Sequence, residues 1–388
     1  MSLFGKFRLG RTNQSVLGAW WWTVDRWTLA AVLFLSMLGL VLSLAASPAV
    51  ASKIGLPSFH FVYRQAIFLV PALFVLLGVS MLSVRQVRRL AILGFAGVYV
   101  LMLATLAVGP EIKGATRWLS MAGFSLQPSE FIKPLLVILL AWMFSEAAKK
   151  TGVPGRSIAL GLYAMVAVVL VQQPDFGQLT LITIVFAAIF FLAGLSWFWI
   201  AGMAGLAIAG GYSAYRMVPH VTSRVDRFLD PASGDTYQIE RALEAFRAGG
   251  LFGRGPGEGV VKRVLPDAHT DFIFAVAAEE YGVIVGLLIL GLFGFIVIRT
   301  LLRVQEEHDL FVQLAASGLI VLIGIQALIN IAVNVNLLPA KGMTLPFISY
   351  GGSSLIAVAL ALGMLLALTR RRAGGALHHG TYTKRAYA

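Results

Sequence analysis

Several charged side chains in this sequence border long apolar segments, where an ionisable group is costly and therefore suggests a function. Asp271 ends a polar cluster, residues 265–271, and an apolar run follows it directly. We expect Asp271 in the first helical turn of that run, as a general base held by a rigid element. The alternative is a carboxylate that only stabilises the start of the helix through the helix dipole.

Other polar residues are placed in the same way. Glu130 and Lys133 lie three residues apart at the start of an apolar run, which puts them on one helix face. They could form an ion pair that holds the bundle together, line a substrate cavity, or do both. Arg64 either extends to the membrane surface or binds an anion. Asp175 and Gln178 belong to a tight turn, in which Asp175 is the expected cap of the next helix.

Two segments combine glycine and proline in a way that regular helices do not. Segment 249–259 has six glycines in eleven residues, which fits either a flexible hinge or backbone N–H groups presented to a phosphate. Segment 337–354 carries Lys341, Ser349 and Ser353 among two prolines and three glycines. This composition at membrane depth predicts irregular backbone that lines a cavity.

The elements that must position these residues follow from composition. Of 388 residues, 58% are hydrophobic and only 13% are charged, too few to coat soluble domains of this length. The long apolar runs therefore predict an all-α polytopic membrane protein with about ten transmembrane helices. The predicted spans are residues 27–47, 62–82, 90–108, 128–146, 158–172, 178–193, 197–215, 271–298, 310–336 and 353–369.

The net charge of +13 is explained by orientation, because basic residues concentrate in alternate loops. The positive-inside rule then places both termini in the cytoplasm and one long periplasmic loop, 216–270, between the seventh and eighth spans. An amphipathic helix is expected over 236–248.

We expect a cytoplasmic segment 1–26, a membrane domain 27–372 and a disordered tail 373–388. Nucleic acid is not an expected partner, and the absence of cysteine excludes thiolate chemistry.

Five motifs give the sequence a specific resemblance. They are GATRWLSMAGFSLQPSEFIK (114–133), QPDFGQ (173–178), GGLFGRGPGEG (249–259), LPDAHTDFIFAVAAEE (265–280) and LLPAKGMTLPFISYGGSS (337–354). Together they make residues 27–372 resemble the SEDS family, whose members include FtsW and RodA. Ala268, Lys341 and Thr344 look more like the FtsW branch, which acts in division, than the RodA branch, which acts in elongation.

The resemblance implies a peptidoglycan glycosyltransferase that polymerises lipid II into β-1,4 glycan strands at the outer face of the bacterial inner membrane, during septal synthesis. Asp271 would be the essential catalytic aspartate, acting on the acceptor hydroxyl, while undecaprenyl pyrophosphate leaves with inversion. Glu130 and Lys133 would lie in the polar cavity of the family. The implied partners are a class B penicillin-binding protein transpeptidase and the divisome regulators.

The remaining candidates follow from the charge of the leaving group and from the motifs. Candidate substrate-binding residues are Arg64, Lys113, Arg117, Glu130, Lys133, Asp175, Gln178, His269, Thr270, Lys341, Ser349 and Ser353. A divalent cation, Mg²⁺ or Mn²⁺, would stabilise the same charge, and no organic cofactor is expected. Two alternatives stay open, a lipid II flippase and a non-catalytic divisome scaffold. The polar groups concentrate at the outer face, which favours the enzyme.

Overall fold

The computed structural model describes residues 16–111, 115–121, 124–149, 152–194, 197–230, 237–339 and 342–370. This part of the chain is mostly helical, with irregular segments before α11 and before α13. The helices are α1 (Val16–Thr23), α2 (Arg26–Lys53), α3 (His60–Ser80), α4 (Val84–Val108), α5 (Pro128–Ala148), α6 (Gly155–Gln172), α7 (Phe176–Leu192), α8 (Trp197–Met217), α9 (Pro219–Leu229), α10 (Tyr237–Gly249), α11 (Ile273–Gln305), α12 (Leu310–Asn334) and α13 (Gly352–Leu368). Two short strands, β1 (Leu119–Met121) and β2 (Phe124–Leu126), pair antiparallel.

Each predicted span coincides with a helix, namely α2 to α8 and α11 to α13. Among the described helices, seven are long and apolar enough to cross a membrane, and α7 and α13 are shorter apolar helices. The all-α polytopic membrane fold is therefore confirmed. The number of spans and the side of each terminus stay predictions, and the predicted tail 373–388 lies outside the described residues.

Helix boundaries differ from the predicted ones where polar caps extend an apolar run. Helix α4 begins at Val84, before the predicted start at residue 90, because Ser83 and Gln86 form a reciprocal capping box. Helix α9 lies in the first part of the long loop, at residues for which no helix was predicted, and begins with Pro219 in its first turn. The amphipathic helix expected over 236–248 is confirmed as α10.

The core of the bundle is formed by α5, α12 and α13, whose side chains are mostly buried. Helix α13 packs on α3, α5 and α12, and α11 packs on α2 and α12. At one end of the bundle, Asp25 caps α2. Its Oδ2 atom pairs with Arg299 Nε at 2.8 Å and with Arg303 Nε at 3.0 Å. We call this the Asp25 end, and the opposite end, where the candidate residues collect, the Asp271 end.

Helix α11 is broken at Gly282, whose backbone has φ +80° and ψ 175°. The glycine-rich segment 249–259 fills the break with its own backbone. Arg254 N donates to Glu279 O at 2.9 Å, and Gly255 N donates to Glu280 O at 3.0 Å. On the other side, Val283 N donates to Gly250 O at 3.0 Å, and Ile284 N donates to Leu251 O at 3.4 Å. The groups that a broken helix leaves unpaired are thus satisfied.

The Glu279 carboxylate fixes the far side of the same segment. It is fully buried and accepts hydrogen bonds from the backbone N–H groups of Val260, Val261 and Lys262 at 2.6, 2.7 and 2.8 Å. The amides of Arg254, Gly255 and residues 260–262 therefore bind protein acceptors, which argues against a phosphate cradle formed by these groups.

Candidate active site

Asp271 lies in the turn that precedes α11, two residues before the helix begins at Ile273. The prediction that Asp271 lies in the first helical turn is therefore wrong. Phe272 is the N-cap residue of α11, and Asp271 precedes it. Asp271 is partly buried. Its carboxylate faces the segment before α13, since a Cβ added at Gly342 would lie 3.5 Å from Asp271 Oδ2.

Two asparagines of α12 hold this turn. Asn334 Nδ2 donates to the backbone oxygen of Asp271 at 2.9 Å, and Asn330 Nδ2 donates to the same oxygen at 3.0 Å. Asn330 Nδ2 also donates to Met343 O at 2.6 Å, and Asn334 Oδ1 accepts from Ala275 N at 3.1 Å. These two amides therefore fix the turn that carries Asp271 and the segment opposite it relative to one rigid helix.

The segment before α13 is docked directly on the Asp271 turn. Ser349 Oγ donates to Thr270 O at 2.6 Å and accepts from Leu345 N at 2.8 Å. Tyr350 N donates to His269 O at 2.9 Å. Thr270 Oγ1 donates to a backbone oxygen within its own turn, so the structure uses these polar groups to join two irregular segments.

The His269 ring is packed between aromatic rings. Its centroid is 4.2 Å from that of Phe61 and 5.4 Å from that of Tyr350. Burial lowers the pKa of His269 to about 4, against the opposing charge of Asp267, so the imidazole is neutral at pH 7. Its Nδ1 atom is buried without a hydrogen-bond partner among the described residues.

A second polar group lies inside the bundle at the same end. Lys133 Nζ donates to Glu130 Oε2 at 2.9 Å and to Gln326 Oε1 at 3.1 Å. Gln178 Nε2 donates to Glu130 Oε1, and Gln326 Nε2 donates to Thr344 O at 3.1 Å. The predicted Glu130–Lys133 ion pair is confirmed, and both residues are buried. Because Gln326 precedes Asn330 by one helical turn, α12 connects this network to the Asp271 turn.

Arg117 and Asp175 extend the network from the loop side. Arg117 Nη1 is 3.5 Å from Asp175 Oδ1, and Arg117 Nη2 donates to Pro174 O at 3.1 Å. Asp175 caps α7 through Gln178 N at 3.4 Å, as expected. Burial raises the pKa of Asp175, and the Arg117 charge opposes this effect. Asp175 Oδ2 and Gln178 Oε1 are buried without a hydrogen-bond partner among the described residues, which leaves acceptors available to a ligand.

The remaining predicted site residues either join other segments of the bundle or lie outside the described residues. Ser353 Oγ accepts from Gln127 N at 3.1 Å and donates to Ser125 O at 3.3 Å, which ties α13 to the strands before α5. Burial raises the pKa of the Tyr350 hydroxyl, and the neighbouring Arg64 opposes this shift. The candidates Lys113 and Lys341 lie outside the described residues.

Sequence analysis did not include Gln326, Asn330 or Asn334 among the candidate site residues. A signal was present, because residues 326, 330 and 334 follow a four-residue spacing that places three amides on one face of α12. Their targets are backbone oxygens of distant segments. The spacing therefore indicates a polar stripe without indicating what it binds.

Comparison with known sequences agrees with the motifs. The sequence model of the FtsW/RodA/SpoVE family, described as cell cycle protein, matches residues 26–374. The chain is 55% identical over 365 residues to the probable peptidoglycan glycosyltransferase FtsW of Caulobacter vibrioides, with 94% of each chain covered. It is 35% identical over 360 residues to the protein of the same name from Coxiella burnetii, covering 89% of this chain and 96% of that relative.

Solved structures share the fold. A chain from the structure described as "Structural coordination of polymerization and crosslinking by a peptidoglycan synthase complex" superposes with a TM-score of 0.73 at 28% identity, covering 89% of this chain and 97% of that one. The rod shape determining protein RodA of Thermus thermophilus superposes with a TM-score of 0.66 at 27% identity, covering 90% and 97%. The chain therefore belongs to the FtsW/RodA/SpoVE family of cell cycle proteins, the SEDS family that its motifs resemble.

Proposed function

We propose that this protein is a peptidoglycan glycosyltransferase that polymerises lipid II into β-1,4 glycan strands for septal cell-wall synthesis in the bacterial inner membrane. Two relatives named probable peptidoglycan glycosyltransferase FtsW support the activity. The observation that carries the assignment of the site is the Asp271 carboxylate. Two asparagines of α12 hold its turn, and it faces the segment before α13 across from Gly342.

A single base is sufficient for this reaction. Asp271 takes the proton of the acceptor's sugar hydroxyl, and that oxygen forms a bond to the anomeric carbon of the donor. The bond from this carbon to the lipid pyrophosphate breaks, and the pyrophosphate leaves with the electron pair. Direct displacement inverts the anomeric centre, so an α-linked donor yields a β-linked glycan. A positioned base of this kind contributes about 10²–10⁴-fold in rate.

The leaving group needs charge stabilisation rather than a proton. Arg117, Arg64 and Lys133 supply cations at the Asp271 end among the described residues, and we include Lys113 and Lys341 with them on sequence grounds. In the described part of the chain, no group of three or more His, Cys, Asp or Glu side chains could hold a metal ion. An Mg²⁺ or Mn²⁺ ion held by the pyrophosphate of the substrate and one or two carboxylates stays a proposal, and the steps described above use side chains alone.

The proposed topology follows from the distribution of charge. Arg26, Arg299, Arg303 and Arg370 collect at the Asp25 end, so the positive-inside rule places this end in the cytoplasm and Asp271 toward the periplasm. We further propose ten spans, a class B penicillin-binding protein as partner, and contact with divisome regulators at the division site. A fold shared with a chain of a peptidoglycan synthase complex supports the transpeptidase partner.

The test is polymerisation of labelled lipid II, read as a glycan ladder on a gel, by the purified protein alone and with its transpeptidase. Asp271→Asn should abolish the ladder in both settings. Asp267→Asn is the matched control, because it changes another carboxylate of the same turn at a positive φ that asparagine tolerates. An active Asp271→Asn variant would remove Asp271 as the base.

The flippase alternative is tested with the same variants. Helix α11 is broken, as helices of transporters often are, but here protein backbone fills the break. If wild-type protein in vesicles moves labelled lipid II between leaflets yet makes no ladder with its transpeptidase, the flippase function replaces the enzyme. If folded protein shows neither polymerisation nor transport, the scaffold function replaces the enzyme.

A further inference from the structure

A cavity of about 580 Å³ lies between α2 and the segment that fills the α11 break. One wall is α2 from Val41 to Lys53, and the other wall includes Lys262, Arg263 and Glu280. None of its lining residues belongs to the candidate active site. The volume lies within the range of small-molecule and cofactor sites.

The level of the cavity in the membrane follows from two contacts between α2 and α11. At the Asp25 end, Arg299 Nε binds Asp25 at 2.8 Å. At the other end, Lys262 Nζ donates to Ala45 O at 2.9 Å and pairs with Glu280. Twenty residues separate Asp25 from Ala45, and nineteen separate Glu280 from Arg299.

At a rise of about 1.5 Å per residue, the α2 stretch from Asp25 to Ala45 spans about 30 Å, which is the thickness of the hydrocarbon core. The stretch of α11 packed beside it is of similar length and is interrupted at Gly282. The Lys262–Glu280 pair therefore lies at one boundary of the hydrocarbon, and the Asp25 cluster lies at the other. The cavity, whose walls include Ala45, Lys262 and Glu280, spans the boundary at the Asp271 end.

The walls differ on the two sides of that boundary. On the hydrocarbon side, Val41 and Leu44 are partly exposed, by 41% and 48%. On the other side, Lys53 and Arg263 are exposed cations at the rim. An amphiphile would place its chain on the first pair and an anionic head group between the second pair.

The Glu280 carboxylate adds a requirement for a hydrogen-bond donor on the ligand. It is the sole acid among the described residues that line the cavity. Its Oε1 pairs with Lys262, while its Oε2 is buried without a hydrogen-bond partner. A buried acceptor left unpaired is costly, and a hydroxyl donor of a ligand would satisfy it.

We propose that this cavity binds a phosphate-bearing lipid whose head group carries a hydroxyl donor. The chain packs on Val41 and Leu44, the phosphate lies between Lys53 and Arg263, and the hydroxyl donates to Glu280 Oε2. Two sources share this chemistry, a hydroxylated glycerophospholipid such as phosphatidylglycerol, and a polyprenyl pyrophosphate sugar such as lipid II.

The experiment is native mass spectrometry of the full-length protein in a neutral detergent, titrated separately with phosphatidylglycerol, phosphatidylcholine and lipid II. We expect phosphatidylglycerol or lipid II to bind more tightly than phosphatidylcholine. The double variant Lys53→Ala, Arg263→Ala should lower the affinity for that ligand about tenfold. Ala49→Phe keeps the charges but fills the cavity, and should weaken binding as well. Arg247→Ala, an exposed cation of α10 outside the cavity, should leave binding unchanged.

The outcome is decided by binding and not by polymerisation. If the cavity variants lose affinity for phosphatidylglycerol alone, the site binds a phospholipid. If they lose affinity for lipid II alone, the site binds the polyprenyl ligand. Equal affinity for phosphatidylcholine overturns the proposal, as does wild-type affinity of both the double variant and Ala49→Phe. Melting temperatures of all variants verify that the folded protein is compared.

Discussion

The side-chain amide of Asn334 donates a 2.9 Å hydrogen bond to the backbone oxygen of Asp271, and the amide of Asn330 shares that acceptor. The carboxylate faces the opposite segment, across from Gly342. The position of the proposed base is therefore set through its backbone by a helix that crosses the bundle core.

Removal of one amide should displace the base without removing it. We predict that Asn334→Ala lowers kcat for glycan polymerisation by about 10- to 100-fold, because a shift of about 1 Å can cost a factor of that order. KM for lipid II should change little. The measurement is initial rate against lipid II concentration. Gln313→Ala, an amide at the Asp25 end of the same helix, is the control, and an unchanged kcat with a lower melting temperature would show a purely structural role.

The buried Glu130–Lys133 pair allows its structural and catalytic roles to be separated. Lys133→Met leaves the Glu130 carboxylate buried without its ammonium partner, and should destabilise the protein by about 3–5 kcal/mol. Adding Glu130→Gln removes the unpaired charge and should restore most of the melting temperature. If the pair also lines the substrate cavity, the double variant stays inactive in polymerisation. Restored activity would instead show that the pair only holds the bundle together.

The sequence predicted the ten apolar helices because each is a continuous apolar run of about the length that a bilayer requires, whereas α9 has no such run and was missed. The ion pair of Glu130 and Lys133 was predictable for the same reason, since three residues of spacing fix a shared helix face. The cap of α7 by Asp175 was also a local pattern. These predictions required no knowledge of distant parts of the chain.

What the sequence could not supply was contact between distant segments. Gly282 lies in an apolar run with other glycines, and only the backbone of Leu251 and Gly253 beside it distinguishes the residue that breaks the helix. The amide stripe of α12 was visible, but its acceptor, the Asp271 carbonyl, was not. The start of α11 two residues later than expected likewise depends on the docking of the segment before α13 on the turn.

The break in α11 gives a prediction on stability. A Cβ at Gly282 would lie 2.1 Å from Leu251 O, at a φ of +80°. Gly282→Ala should therefore destabilise the protein by about 3 kcal/mol or more. Gly291→Ala is the matched control, because it lies in the same helix with no atom within 4 Å of the added Cβ. Thermal unfolding in detergent compares the two, and equal melting temperatures would contradict the described packing of segment 249–259.

Acid sensitivity should depend on His269. Burial holds its pKa at about 4, below the ordinary value of 6.5, so the unfolded chain binds this proton more readily than the folded protein does. Stability then rises with pH through this window and is lost as the pH falls from 6.5 toward 4. His269→Phe keeps an aromatic ring against Phe61 and should flatten that part of the melting-temperature profile. His308→Asn, at an exposed histidine of the Asp25 end, should retain the wild-type profile, and an equally steep profile for His269→Phe would assign the acid sensitivity to another group.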